Sequence, residues 1–216
     1  MLGHRDVEAA ECSETWTGGP FILTYTGKQF YYDSFNEDSI DIRDIAHSLS
    51  HLCRYTGHTI MFYSVAQHSL LVSEKIQGGP AEKLTALLHD AAEAYTNDLA
   101  SPLKRYMDKE EGGYSMYITL QDSIQATIYN KYGIKNISKD VRLYDNAAGV
   151  FEAEGFMGLS PEQLHGYRFA THLRKLWTPW DPVEFASLNS DVEFGEAEWK
   201  FIDRFETLMK ELGRPL

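Results

Sequence analysis

The chain has 216 residues, and its 20 Lys+Arg against 32 Asp+Glu give a formal net charge of −12 at pH 7. That length suits one compact domain with its own core, and 43% hydrophobic with 24% charged residues is a globular composition, not a disordered one. The acidic balance works against a nucleic-acid polymer or an anionic membrane surface as partner, and no run approaches the roughly 18 apolar residues of a membrane span.

The first segment, Met1 to Gly19, is polar and lacks an apolar signal core, so it reads as a loose arm. Two cysteines, Cys12 and Cys53, are too few for a disulfide framework and point to a reducing, cytoplasmic compartment. Pro20 to Tyr32 is dense in aromatic and β-branched residues and broken at Thr26-Gly27, which predicts a hairpin. Helical periodicity follows. Ile42, Ile45, Ala46, Leu49, Leu52 and Cys53 form one apolar face, and Gly57 interrupts it. A second helix is predicted from about Met61 to Ile76. A third runs from Pro80-Ala81 to about Ala94, with Leu84, Leu87, Leu88 and Ala91 inward. Asn97-Asp98 and Ser101-Pro102 mark a loop or a broken turn. Further helices are predicted over Tyr114 to Tyr132, Lys139 to Met157 and Glu162 to Leu176, the last with Ser160 and Gln163 as start signals. The segment from Trp177 to Pro182 is a stiff break. From about Asp191 to Gly213 an amphipathic helix turns Trp199, Ile202, Phe205 and Met209 to the body. The expectation is an all-α body with a small N-terminal β-hairpin.

Strong catalytic signatures are missing: no phosphate loop ending in GK[ST], no G-x-G-x-x-G, no H-E-x-x-H, no G-x-S-x-G and no paired CxxC. The informative feature is His89-Asp90 inside ALLHDAAEAYTND, two polar residues interrupting an apolar helical stretch. A buried polar group without a partner costs roughly 1–3 kcal/mol, and a divalent ion is one partner both residues can share. His68, on the preceding helix, and Asp145, between Leu143 and Ala147 on a later one, complete a set of two imidazoles and two carboxylates. Plainer readings stand beside this one: His68 as a satisfied core histidine, Asp90 as a helix cap, Asp145 as a partner of Arg142. Glu93 shares the helix face of the doublet at i+3 and i+4, where a carboxylate can act on a water, or is a solvated acid. Asp98 reaches back to shuttle a proton or caps a turn. Arg54 and His58, before the His68 helix, and Lys104, after Asp98, are the cations in reach of an anionic substrate, unless they pair with surface acids. Tyr55 stacks on a base or packs in the core.

His68, the His89-Asp90 doublet and the distant Asp145 resemble the metal signature of the HD-domain phosphohydrolase superfamily. The stretch HDAAEAYTNDLASPLK, residues 89 to 104, is similar to that of the small HD nucleotidases, among them deoxyribonucleoside 5'-monophosphatases, and to the small dATP triphosphohydrolases of certain phages. The likeness covers about Ile42 to Glu154. It implies an HD-domain fold, expected over residues 20–190 with the hairpin; the polar composition puts the arm of 1–19 before it and the periodicity a C-terminal helix, 191–216, packed on the same domain, while the tract from Trp177 to Leu216 has no counterpart in the family and is expected to cover the site or build an oligomer interface. It also implies His68, His89, Asp90 and Asp145 as ligands of one divalent metal ion (Mn, Co, Zn, Ni, Fe or Mg). Glu93 then works on the nucleophilic water and Asp98 is a second acid–base residue. Arg54 stands where the small nucleotidases keep a phosphate-binding arginine, and Tyr55 where some of them have a tryptophan beside sugar and base. Lys104 matches a basic position beyond the second acid. The expected reaction is hydrolysis of a deoxynucleotide, with dATP to deoxyadenosine plus triphosphate ahead of 5'-monophosphatase activity and of a non-catalytic nucleotide-binding role. The expected partners are a small deoxynucleotide and further copies of the chain in a homo-oligomer. The expected compartment is the cytoplasm, that of the host if the chain is phage-encoded.

Overall fold

The computed structural model describes residues 19–135, 138–160, 162–166 and 194–215. Most of the predicted arm, the stiff break at Trp177 to Pro182 and all but the start of the helix expected over 162–176 lie outside the described residues.

The fold is mostly α-helical with one small antiparallel hairpin. Strands β1 (Phe21–Leu23) and β2 (Gln29–Tyr31) pair with Phe21 opposite Tyr31. The tip is tied down by Asp44, whose carboxylate accepts from the Thr26 backbone N–H at 2.7 Å and its hydroxyl at 2.9 Å. Eight α-helices follow among the described residues: α1 Ile42–His51, α2 Val65–Lys75, α3 Pro80–Leu87, α4 Glu93–Thr96, α5 Ser101–Glu110, α6 Met116–Lys131, α7 Lys139–Met157 and α8 Phe194–Glu211. None is long and apolar enough to cross a membrane.

Two apolar clusters hold the helices. The larger joins Phe30 of the hairpin to α1, α3, α4, α6 and α8, with Phe30 stacked on Tyr95 at 4.2 Å. The smaller joins the far end of α2 (Leu71, Val72, Ile76) to α7 (Ala147, Ala148, Phe151, Phe156) and to Tyr63, whose ring stacks on Phe156 at 4.0 Å. Helix α2 contributes to both clusters, since Val65 and Ala66 belong to the first. It starts at a buried capping box in which Ser64 accepts from the Gln67 N–H and the Gln67 side chain accepts from that of Ser64.

Four local features depart from the sequence-based expectation. The third helix stops at Leu87, and residues 88–92 form a tighter turn with i→i+3 bonds such as Ala91 N–H to the Leu88 carbonyl. The break is sewn from outside: Gln125 of α6 accepts from the Ala92 N–H at 2.9 Å and donates to the Leu88 carbonyl at 2.7 Å. The loop expected after Ser101-Pro102 is helix α5, which buries none of its residues. In α8, Phe201, Phe205, Leu208 and Met209 face the core, whereas Trp199 points outward with 63% of its surface exposed. Likewise Met116, which shares a spacing of four with Leu120, Ile124 and Ile128 and is expected to face inward with them, is exposed.

Candidate functional site

Three segments converge on one point. His68 projects from the second turn of α2, His89 and Asp90 from the turn after α3, and Asp145 from the middle of α7. His68 Nε2 lies 3.2 Å from His89 Nε2 and 3.2 Å from Asp145 Oδ1. His89 Nε2 is 3.7 Å from the same Asp145 oxygen, and Asp90 Oδ2 stands 3.2 Å from His89 Nε2 and 3.6 Å from His68 Nε2. Because the chain has left the α-helix at Leu88, the doublet converges through the turn and not through two adjacent positions of a regular helix.

The donor chemistry fits a cation. His89 Nδ1–H donates to the Ala86 carbonyl at 2.7 Å, and His68 Nδ1–H donates to Glu152 Oε1 at 2.6 Å. With Nδ1 of each ring so engaged, Nε2 is the nitrogen that faces the carboxylates, and a neutral ring offers its lone pair there to a cation. Donors about 2.1 Å from one ion in tetrahedral or octahedral order lie about 3.0–3.4 Å from each other, close to the spacing found. His68, His89 and Asp145 thus have the capacity to bind one divalent ion, with Asp90 beside them.

The acids divide into two groups. Burial pushes Asp90 up, but the His89 imidazole more than offsets it and holds the carboxyl at about 2. Asp145 is likewise held well below its ordinary value against burial, by hydrogen bonds from His68 and His89. The reciprocal effect of Asp90 and Asp145 raises His89 well above the usual imidazole range although burial opposes it. Glu93 and Asp98 go the other way. Burial raises Glu93 well above its ordinary value, Asp90 and Asp98 add to this, and Lys104 and Arg54 oppose it. Burial also raises Asp98, with Arg54 working against it. One pair of carboxyls is thus shifted toward the ionised form and the other toward the protonated form, a separation of the kind acid–base chemistry uses.

Glu93 opens α4 and is 5% exposed. Its Oε1 accepts from Lys104 Nζ at 3.1 Å, and its Oε2 is buried with no hydrogen-bond partner among the described residues. Gln121 of α6 holds Lys104 from the other side at 3.2 Å. Arg54 lies 3.7 Å from Asp90 through Nη1, but its Nε and Nη2 are engaged by Glu152. Tyr55 turns its hydroxyl inward, to Glu152 and the Gly149 carbonyl. Tyr55 and Thr56 both sit in the left-handed region, at φ 55° and 56°, which costs roughly 1–2 kcal/mol per residue. The loop from Arg54 to Tyr63 that holds this shape is closed at its base by the Cys53–Ser64 bridge. His58 stands exposed at the end of the same turn.

Glu152 was not among the sequence-predicted residues. It is fully buried and touches His68, Arg54, Tyr55 and Tyr63. The available signal is its place on α7 seven residues after Asp145, an acid on the apolar face that includes Phe151 and Phe156. Gln125 and Gln121 carry no local signature, since each is a lone glutamine on an amphipathic helix.

The fold and the cluster define a mostly helical protein with a His/His/Asp cluster that has the capacity to hold one divalent ion. No protein-family model matches the chain. It is 47% identical over 115 residues, 53% of its length, to the uncharacterised protein YfdR of Escherichia coli strain K12. It is 35% identical over 133 residues, 56% of its length, to an uncharacterised protein of Rhodobacter capsulatus. The matches span 59% and 65% of those proteins, less than two thirds of either.

Proposed function

We propose that the chain is a metal-dependent phosphohydrolase of the HD-domain type whose substrate is a small deoxynucleotide. The observation behind this reading is the pairing of the His68, His89 and Asp145 cluster, with Asp90 beside it, with Glu93, a carboxyl left with one buried oxygen unpartnered and raised well above its ordinary value by burial. A site that merely held an ion has no use for such an acid.

A bound divalent ion supplies positive charge to phosphoryl oxygens and acidity to water. Glu93, once ionised, accepts a proton from the attacking water. Asp98, also raised, is the group that returns a proton to the leaving oxygen. Arg54 offers Nη1 to the equatorial oxygens of the phosphoryl group, where charge builds. Lys104 holds Glu93 in place and lowers its proton affinity.

The resemblance favours dATP, cleaved to deoxyadenosine and triphosphate. The alternative, a deoxyribonucleoside 5'-monophosphate, is favoured by charge: Arg54 and Lys104, which act on both Glu93 and Asp98, each already face a carboxylate and leave little positive charge for a triphosphate. Incubation of the full chain with dAMP, dATP and the other deoxynucleotides, with Mn or Co, decides the matter when the inorganic product is identified. Intact triphosphate from dATP supports the first reaction and orthophosphate from dAMP the second. No turnover of either class with any of these metals defeats the proposal.

A further inference from the structure

Glu152 is 0% exposed, and its two oxygens have different neighbours. Oε1 accepts from His68 Nδ1 at 2.6 Å and from the Tyr63 hydroxyl at 3.0 Å. Oε2 accepts from Arg54 Nε at 3.1 Å and from the Tyr55 hydroxyl at 2.9 Å, and lies 3.0 Å from Arg54 Nη2. We infer that Glu152 is the positioning residue that couples the metal centre to phosphate recognition, one oxygen fixing the ligand histidine and the other the anion-binding arginine. The inference rests on the metal-centred reading above and adds to it the link between its two halves.

An ionised carboxylate only accepts hydrogen bonds. On the Oε1 side it fixes His68 as the Nδ1–H tautomer, so that the Nε2 lone pair faces His89 and Asp145; the other tautomer points a proton into the cluster. Partners of this kind orient a ligand imidazole and raise its basicity. On the Oε2 side it takes one edge of the guanidinium and leaves Nη1, 3.7 Å from Asp90, as the corner that Glu152 does not hold and that an anion can share. Tyr55 and Tyr63 complete the shell from the two ends of one loop. The left-handed backbone at Tyr55 brings its hydroxyl inward, and Tyr63 is anchored by its stack on Phe156.

Glutamine cannot replace this residue. Whichever way the amide turns, its NH2 opposes either His68 Nδ1–H or Arg54, so Glu152→Gln loses one of the two sides. The test uses the full chain. Metal affinity is measured by Co(II) titration, following the visible absorption of bound Co(II), and by competition with a chelator. Phosphate affinity is measured by calorimetry with inorganic phosphate at saturating Mn. Glu152→Gln is expected to weaken metal binding by about 10–100-fold, to alter the Co(II) spectrum and to weaken phosphate binding at saturating Mn. Wild-type values for metal and phosphate in Glu152→Gln overturn the inference while leaving the metal-centred reading intact. Failure of the wild type to bind Co(II) or Mn defeats that reading and the inference with it. If Glu152→Gln does not fold, Tyr63→Phe decides, because it removes one donor from Oε1 and keeps the ring on Phe156. A several-fold loss of Co(II) affinity with a changed spectrum supports the inference, and an unchanged affinity and spectrum overturns it. A merely structural role lowers the unfolding temperature of the metal-free protein without moving the Co(II) spectrum.

Discussion

Glu93 shows how one residue is tuned by its neighbours. Its carboxyl is raised by burial and by the negative charges of Asp90 and Asp98, and lowered by Lys104 and Arg54. A base must be ionised to work, so activity falls as pH drops through the raised value. Lys104→Met removes a charge that favours ionisation, and the acid limb of kcat/KM moves to higher pH. Asp98→Asn removes a charge that opposes it, and the limb of the residual activity moves to lower pH. Opposite shifts in the two pH profiles are the expected outcome; shifts in the same direction contradict the assignment of Glu93 as the group that sets the limb. Glu93→Gln is expected to abolish turnover with metal content unchanged, as read by elemental analysis beside the rate, because Glu93 lies next to the donor cluster without belonging to it. At this scale the sequence was informative where residue type and spacing are distinctive: His68, His89 and Asp145 do meet. For Glu152 the apolar face of α7 is the one local mark, and it does not name the partners, Arg54 and His68, which lie 98 and 84 residues away.

Among the elements, helices with one buried face were legible and the others were not. Helix α7 runs over Lys139–Met157 as its periodicity predicts, because its apolar side packs on α2 and α3. Helix α5 buries nothing, so no core pattern announces it. The end of α3 at Leu87 depends on Gln125, 33 residues from Ala92, a long-range contact that no local pattern encodes. Two substitutions probe the helices that present the ligands. Ser64→Ala removes the cap of α2 and leaves a buried Gln67 N–H without its acceptor. A loss of about 1–2 kcal/mol is expected, seen as a lower urea midpoint at unchanged slope; a variant as stable as the wild type removes the cap from the account of how His68 is placed. Gly149→Ala in α7 has the reverse sign. The added methyl meets the Tyr55 hydroxyl oxygen at 4.0 Å, an ordinary contact, and alanine in a helix interior is favoured over glycine by roughly 0.5–1 kcal/mol. A rise in the urea midpoint of that size checks it, and a fall shows that the loop carrying Tyr55 needs the room.

Over the whole molecule, the cluster ties together parts that apolar packing joins less completely. The larger core unites the hairpin with α1, α3, α4, α6 and α8, while α7 belongs to the smaller one with the far end of α2 and Tyr63. Asp145 is the member of the cluster that α7 provides, and the other donor atoms come from α2 and the turn after α3. An ion held by all three therefore fastens α7 to the body at a point where its packing partners are α2 and α3. Binding to the folded state alone stabilises by about 2.7 kcal/mol at a ligand concentration of 100 Kd. Mn at that level is expected to raise the unfolding temperature, and a chelator to reverse the rise. The gain should not be uniform. Amide exchange in residues 139–157, 65–75 and 86–92 is expected to slow on adding Mn, because local opening of α7 then requires breaking the coordination. The hairpin of residues 21–31 and the C-terminal helix of 194–211 contribute no ligand, so sub-global openings confined to them should exchange as before. Equal protection at every site would mean that the ion stabilises one cooperative unit and that α7 is not separately fastened. No protection in α7 beside a clear rise in unfolding temperature would place the bound ion somewhere other than among His68, His89 and Asp145.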